Sequence, residues 1–284
     1  MKLVNSKITF LAISFVTLFA SYFSLGSISK SAEIQSEEYV KIKSRTNVTQ
    51  KFILIKPDNP VASVILLPGG IGAPVLGSTG NKPTIKYTSN FVVRTRRDFA
   101  KQGLMVAIVD APSDQSKGFK YQWRIGQEHA DDISGVVSYL KKQADIPIWL
   151  VGTSASSFSA ANGAIRLKEN IDGIVLSSSV TIERKNRKFY KTHPNGILNM
   201  DLDKITVPTL LVSNRDDKCD VTPPDDAEKI KSALKNSPKV EALYFTGGKE
   251  PKSEPCGPES PHGFYGIEDQ VVLAIADFIK SNSQ

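Results

Sequence analysis

The stretch Trp149–Ala164, WLVGTSASSFSAANGA, decides how the rest of the chain is read. It begins as a run of β-favouring apolar residues, the pattern of a strand buried on both faces. The run stops at Gly152, passes through Ser154 and breaks at once into small, helix-compatible residues. A strand that turns directly into a helix through Gly-x-Ser-x-small holds its serine hydroxyl at a sharp, exposed turn, where a serine nucleophile belongs. The residues two before and two after that serine must be small, because the tight turn presses them against neighbouring strands. Here they are Gly152 and Ser156. Ser156 stands where the motif has its second glycine, so Ser156 and Ser157 stay open as rival hydroxyls, with Ser154 the first choice.

On either side, short apolar runs alternate with amphipathic helical patterns. Upstream, YVKIKSRTNVTQKFILIKPDN alternates as two edge strands, and ASVILLPGG is a buried strand ending in Pro-Gly-Gly. A long loop over 71–89 follows, and then a helix FVVRTRRDFAKQG with Asn90 as its cap. LMVAIVDAP is a strand, and EHADDISGVVSYLKKQ a helix with Ile133, Val136, Val137 and Leu140 on one face. Downstream of the opening stretch come strands IDGIVLSSS and PTLLVSN, helix PDDAEKIKSALKNS, strand VEALYF and a closing helix GIEDQVVLAIADFIKS. This alternation predicts an α/β domain with a mostly parallel central sheet and helices on both faces. Ligands in such sheets sit at the carboxyl ends of the strands.

A nucleophilic serine needs a base, and the chain has three histidines. His129 lies within a helix and His193 in a polar insert over 181–204. His262, in PCGPESPHGFYG, falls between the last strand and the last helix, at the carboxyl edge of the sheet. That placement suits the chain order serine, acid, histidine. The acid should follow PTLLVSN, where RDDKCDVTPP supplies Asp216, Asp217 and Asp220. Asp217, five residues beyond Val212, has the offset of a carboxylate turning back to an imidazole, and Asp216 is second. Backbone amides of Gly70, in LLPGGIG, and Ala155 are the expected oxyanion donors. Gly70-Ile71-Gly72 does not open a dinucleotide fingerprint, because the third glycine is missing and Pro74 with a long loop replaces the helix.

Cys219 and Cys256 are the only cysteines. Paired, they would tie the acid loop to the histidine loop, and closing the roughly 37 residues between them is worth about 3–4 kcal/mol by chain entropy. Residues 1–29, with Lys2 and Lys7 ahead of a long apolar stretch and then small residues, read as a secretory signal peptide. An uncleaved membrane anchor is the alternative. A lone cysteine pair in an exported chain is more naturally a disulfide than a metal site. No clustered ligand spacing suggests a metal, and the chemistry needs no cofactor. The net charge of +7 is spread along interspersed lysines and acids, with no arginine-rich arm, which argues against nucleic-acid binding.

Together the elbow at Ser154, the glycine loop at Gly69 and Gly70, Asp217 and His262 resemble the α/β-hydrolase superfamily over nearly all of the chain from about Glu38 to Ser283. The nearest resemblance is to small exported bacterial hydrolases related to dienelactone hydrolases, with little or no lid. Ser213-Asn214 departs from the His-Gly many members carry there. The resemblance implies a Ser-His-Asp acyl-enzyme mechanism on small carboxylic esters. Amide or peptide hydrolysis, and a non-catalytic binding protein on the same fold, are the rivals. The insert over 181–204 is too polar for core, and forms either a small cap or a solvated connection. Its basic run Arg184, Lys185, Arg187 and Lys188 would favour anionic ligands. Phe119, Tyr121 and Trp123, in the loop over 113–127, either shape a pocket or pack beneath that loop.

Overall fold

The computed structural model describes residues 36–283, so the expected signal peptide lies outside the described residues. Strands β1 (Glu38–Arg45) and β2 (Val48–Ile55) pair antiparallel at one edge of an eight-stranded sheet. The others in this sheet are β3 (Ala62–Leu67), β6 (Leu104–Val109), β7 (Ile148–Thr153), β8 (Gly173–Ser177), β9 (Thr209–Asn214) and β10 (Val240–Phe245). Their order is β1-β2-β6-β3-β7-β8-β9-β10, and from β6 to β10 every neighbouring pair is parallel. All eight strands are the runs singled out above, but β2, expected as an edge strand, is paired on both sides, with β1 and with β6.

Because successive side chains on a strand point to opposite faces, β7 feeds two cores at once. Ile148 and Leu150 join the core beneath α4 (Gln127–Gln143), α5 (Ser157–Leu167) and α6 (Ala227–Ala233). Trp149 and Val151 join the core beneath α1 (Phe91–Arg94), α2 (Arg96–Lys101) and α7 (Glu268–Ser281). Burial on both faces is the physical reason β3, β6, β7, β8 and β9 read as apolar runs.

Other expectations need correction. The helix expected from Phe91 is split into α1 and α2 at Thr95, whose hydroxyl bonds back to the Phe91 carbonyl at 2.7 Å and competes with the helical ladder. Asn90 makes no side-chain cap bond there. The presumed loop over 71–89 contains a hairpin, β4 (Leu76–Thr79) with β5 (Lys82–Ile85), which turns through Gly80 at φ +58°. The polar insert is not wholly outside the core, because Phe189, Ile197 and Leu202 are buried in the layer formed with α5 and α6. Its charged residues conceal an apolar spacing that follows short 3₁₀ turns rather than a helix or strand period. No helix among the described residues is long and apolar enough to cross a membrane.

Candidate active site

Four loops at the carboxyl ends of the parallel strands build the site: those after β3, β7 and β10 line one cavity of about 300 Å³, and the loop after β9 reaches it through its contact with His262. The first carries Ser154, directly after β7, at φ +54°. That region is costly for a residue with a side chain and is populated when the surrounding structure enforces it. Enforcement comes from the tightness of the turn: a Cβ on Gly152 would lie 2.2 Å from the Ser156 carbonyl oxygen. Only glycine admits the helix start so close beneath the strand end.

Ser156 and Ser157 are buried. The Ser156 hydroxyl donates to the Pro68 carbonyl at 2.6 Å, and the Ser157 hydroxyl accepts from the Val180 amide at 3.3 Å. Ser154 is partly exposed and lines the cavity, so of the three it is the one placed to meet a ligand.

The second loop follows β9. Asp217 is buried and its Oδ2 lies 2.9 Å from His262 Nδ1. Its Oδ1 accepts from the Cys219 amide at 2.9 Å, which fixes the carboxylate plane. Thr222 joins them, its hydroxyl 3.0 Å from Asp217 Oδ2 and 3.1 Å from His262 Nδ1. Asp216 points elsewhere, accepting from the Gly247 amide at 2.6 Å, and Asp220 pairs with Arg184. Asn214, at the departure from His-Gly, braces this turn by accepting from the Asp216 amide and donating to the Gly247 carbonyl.

The third loop, between β10 and α7, carries His262. With Nδ1 facing Asp217, its Nε2 is buried without a hydrogen-bond partner, and the residue lines the same cavity as Ser154. The loop is held from several sides. Ser178 Oγ donates to the His262 carbonyl at 2.8 Å, and Arg94 donates to the carbonyls of Gly263 and Pro258 while pairing with Glu268. A disulfide between Cys219 and Cys256 joins this loop to the acid loop. Cys219, Asp220 and Cys256 form the one grouping of potential metal ligands among the described residues, and its two sulfurs are bonded to each other.

The fourth loop follows β3, where Gly70 adopts φ +60°. A Cβ there would meet nothing within 4 Å, so the requirement for glycine is conformational rather than steric. Thr222 and Arg94 had no periodic or motif signal in the sequence, because each makes contacts with residues distant along the chain.

The remaining histidines lie apart from this group. His129 is buried beside Phe119, with both ring nitrogens lacking hydrogen-bond partners, and burial pushes its pKa down to about 3. His193 stacks on Phe189 in the insert. The aromatic loop does both things expected of it: Phe119 is buried under the Arg124 guanidinium, while Phe119, Tyr121 and Phe189 line a second cavity of about 740 Å³. That cavity shares Gly70 and Ile71 with the first.

No family model matches the chain, and no curated protein sequence matches it. Solved structures do. A Pyrococcus furiosus esterase aligns at TM-score 0.62 and 18% identity over 89% of this chain and 93% of that chain. Est1E from Butyrivibrio proteoclasticus aligns at 0.58 and 16% over 86% and 98%. A dienelactone hydrolase from Anabaena variabilis aligns at 0.58 and 14% over 90% and 100%. At such identities what is shared is the path of the chain through its sheet.

Proposed function

On the premise that this chain has the α/β-hydrolase fold, we propose that it is an exported serine hydrolase of small carboxylic esters. The observation that carries the reading is the buried Asp217–His262 pair, with the imidazole's other nitrogen left unpartnered beside a cavity that Ser154 lines. An imidazole held by a carboxylate at Nδ1 is in the tautomer whose Nε2 accepts a proton.

In this mechanism Ser154 Oγ attacks the ester carbonyl while its proton passes to His262 Nε2. The amides of Gly70 and Ala155 receive the oxyanion of the tetrahedral intermediate. Collapse breaks the bond to the leaving alkoxide, which takes the proton from His262 and departs as alcohol. Water, deprotonated by the same nitrogen, then attacks the acyl-enzyme and releases the acid and free Ser154.

The substrate class follows from the lining of the cavity. Pro68, Ile71, Pro74, Phe91 and Val93 make it largely apolar, and no Asp, Glu, Lys or Arg lines it. Such a site suits a small uncharged acyl group. The peptidases among the structural neighbours, an acylaminoacyl peptidase from Pyrococcus horikoshii and dipeptidyl peptidase 4 from Porphyromonas gingivalis, match this chain over 43% and 36% of their own lengths. Export is supported by the disulfide, which persists in an oxidising compartment, together with the signal-like sequence of residues 1–29.

The test is intact-mass spectrometry of the protein after treatment with a fluorophosphonate, alongside Ser154→Ala. A single adduct on the wild type, absent from the variant, together with hydrolysis of p-nitrophenyl butyrate, is the expected result. A folded, oxidised wild type that takes no adduct would return the chain to the class of binding proteins.

A further inference from the structure

Arg124 ends the short helix α3 (Tyr121–Arg124) and is fully buried. It takes part in none of the ion pairs found among the described residues, and its hydrogen-bond partners are all neutral. Nη1 donates to Ser156 Oγ at 2.5 Å and to Ser159 Oγ at 3.0 Å, and Nη2 donates to the Gly70 carbonyl at 2.8 Å. The Phe119 ring lies 4.4 Å from the guanidinium carbon. A buried cation without a counter-ion is costly, so its presence calls for a reason beyond packing. Burial lowers its pKa to about 9, which leaves it charged at neutral pH.

The partners supply the reason. Gly70 sits where a glycine is needed for conformation alone, and an unrestrained glycine is the least suitable residue to hold an amide in one direction. Three successive carbonyls of this loop are nevertheless pinned. Gly69 accepts from the Gly72 amide at 3.1 Å, Gly70 from Arg124, and Ile71 from the Phe119 amide at 3.0 Å. The Gly70 amide shares a peptide plane with the first of these carbonyls and a Cα with the second, so fixing both fixes the direction of its N–H. The other branch of the guanidinium reaches Ser156, two residues after Ser154, and Ser156 donates to the Pro68 carbonyl at the root of the same loop. The planar, rigid fork of an arginine can span the two parts in a way that a lysine's single ammonium cannot.

We propose that Arg124 is a positioning residue that locks the Gly70 loop onto the nucleophile turn, so that the Gly70 and Ala155 amides keep a fixed separation from Ser154. This assignment rests on the serine-hydrolase reading for its catalytic consequence. The mechanical link itself can be measured without turnover.

The experiment compares wild type, Arg124→Ala and Arg124→Lys as full, disulfide-intact chains. It measures p-nitrophenyl butyrate kinetics and amide hydrogen exchange at Gly72 and Phe119. In both variants kcat is expected to fall about a hundredfold, as for a misplaced catalytic group, with KM changing less than about threefold, because ground-state binding is untouched. Exchange at Gly72 and Phe119 should accelerate while β7 stays protected. Millimolar guanidinium should restore part of kcat and of the protection to Arg124→Ala, a response that a general loss of stability would not give.

If Arg124→Ala does not fold, Arg124→Lys, which keeps charge and most of the volume, carries the test. Retention of wild-type kcat by a folded variant overturns the proposal, as does loss of kcat with unchanged exchange and no rescue. If the wild type neither turns over nor labels, the hydrolase reading fails, and exchange alone then judges the mechanical link. Faster exchange confined to Gly72 and Phe119 supports it, and unchanged exchange overturns it.

Discussion

Asp216 and Asp217 are adjacent in sequence and carry the same functional group, yet only one faces the imidazole. What separates them is the turn after β9. Asn214 holds the Asp216 amide and Asp216 holds the Gly247 amide, so that carboxylate is committed to the backbone of the loop after β10. Asp217 receives the Cys219 amide and the Thr222 hydroxyl instead, and these orient its Oδ2 toward Nδ1 of His262. Asp217→Asn should therefore lower kcat by about 10⁴-fold by stabilising the wrong tautomer. Asp216→Asn should leave kcat within about twofold while modestly lowering stability through its weakened backbone bond. Steady-state kinetics on p-nitrophenyl butyrate with both variants distinguishes the two, and equal losses would count against the assignment. The offset of Asp217 from its strand was legible in the sequence. The commitment of Asp216 to Gly247 was not, because that contact crosses from one loop to another.

Among the elements, strands were legible and loops were not. A strand buried on both faces advertises itself as an apolar run, whereas the β4–β5 hairpin has mostly exposed or half-exposed residues and no such signature. The break between α1 and α2 was hidden for a similar reason, since it depends on the Thr95 hydroxyl choosing the Phe91 carbonyl over solvent. Loops carry the site, and the disulfide is the covalent link between two of them. In a reductant titration, hydrolysis of p-nitrophenyl butyrate, if the proposed function holds, should therefore fall before the near-ultraviolet circular dichroism changes, because the acid and histidine loops are freed while the sheet stays packed. Simultaneous loss of activity and dichroism would mean that the bridge holds the whole fold rather than the site. Reduction should also lower Tm, since the bridge is worth about 3–4 kcal/mol and a domain of this size moves roughly 2–4 °C per kcal/mol.

At the scale of the whole molecule, the sheet separates two apolar layers, and buried polar groups gather where the strands end. His129 is the clearest cost of this arrangement. It is neutral in the fold because burial and then the charges of Arg124 and Arg45 oppose its protonation, lowering its pKa from 6.5 to about 3. The unfolded chain takes up a proton there as pH falls below about 6.5, and the folded chain does so only near 3. Stability contributed by the neutral ring is thus complete above pH 6.5 and lost progressively on acidification through that window. His129→Phe should flatten the fall in stability between pH 6.5 and 4, read by urea unfolding at several pH values. An unchanged slope would place the acid sensitivity elsewhere.

By itself the sequence determined the layered α/β architecture, because burial on two faces writes apolar runs and burial on one face writes a helical stripe. It also made Ser154, Asp217 and His262 the first choices for a catalytic trio, with Ser156, Ser157 and Asp216 still open, because strand ends in such a sheet share one edge. Which hydroxyl stays accessible, which carboxylate turns to the imidazole, and how Arg124 and the disulfide brace the loops were decided only by the tertiary structure. Those outcomes depend on hydrogen bonds and packing between segments tens to more than a hundred residues apart, and no local period records such contacts.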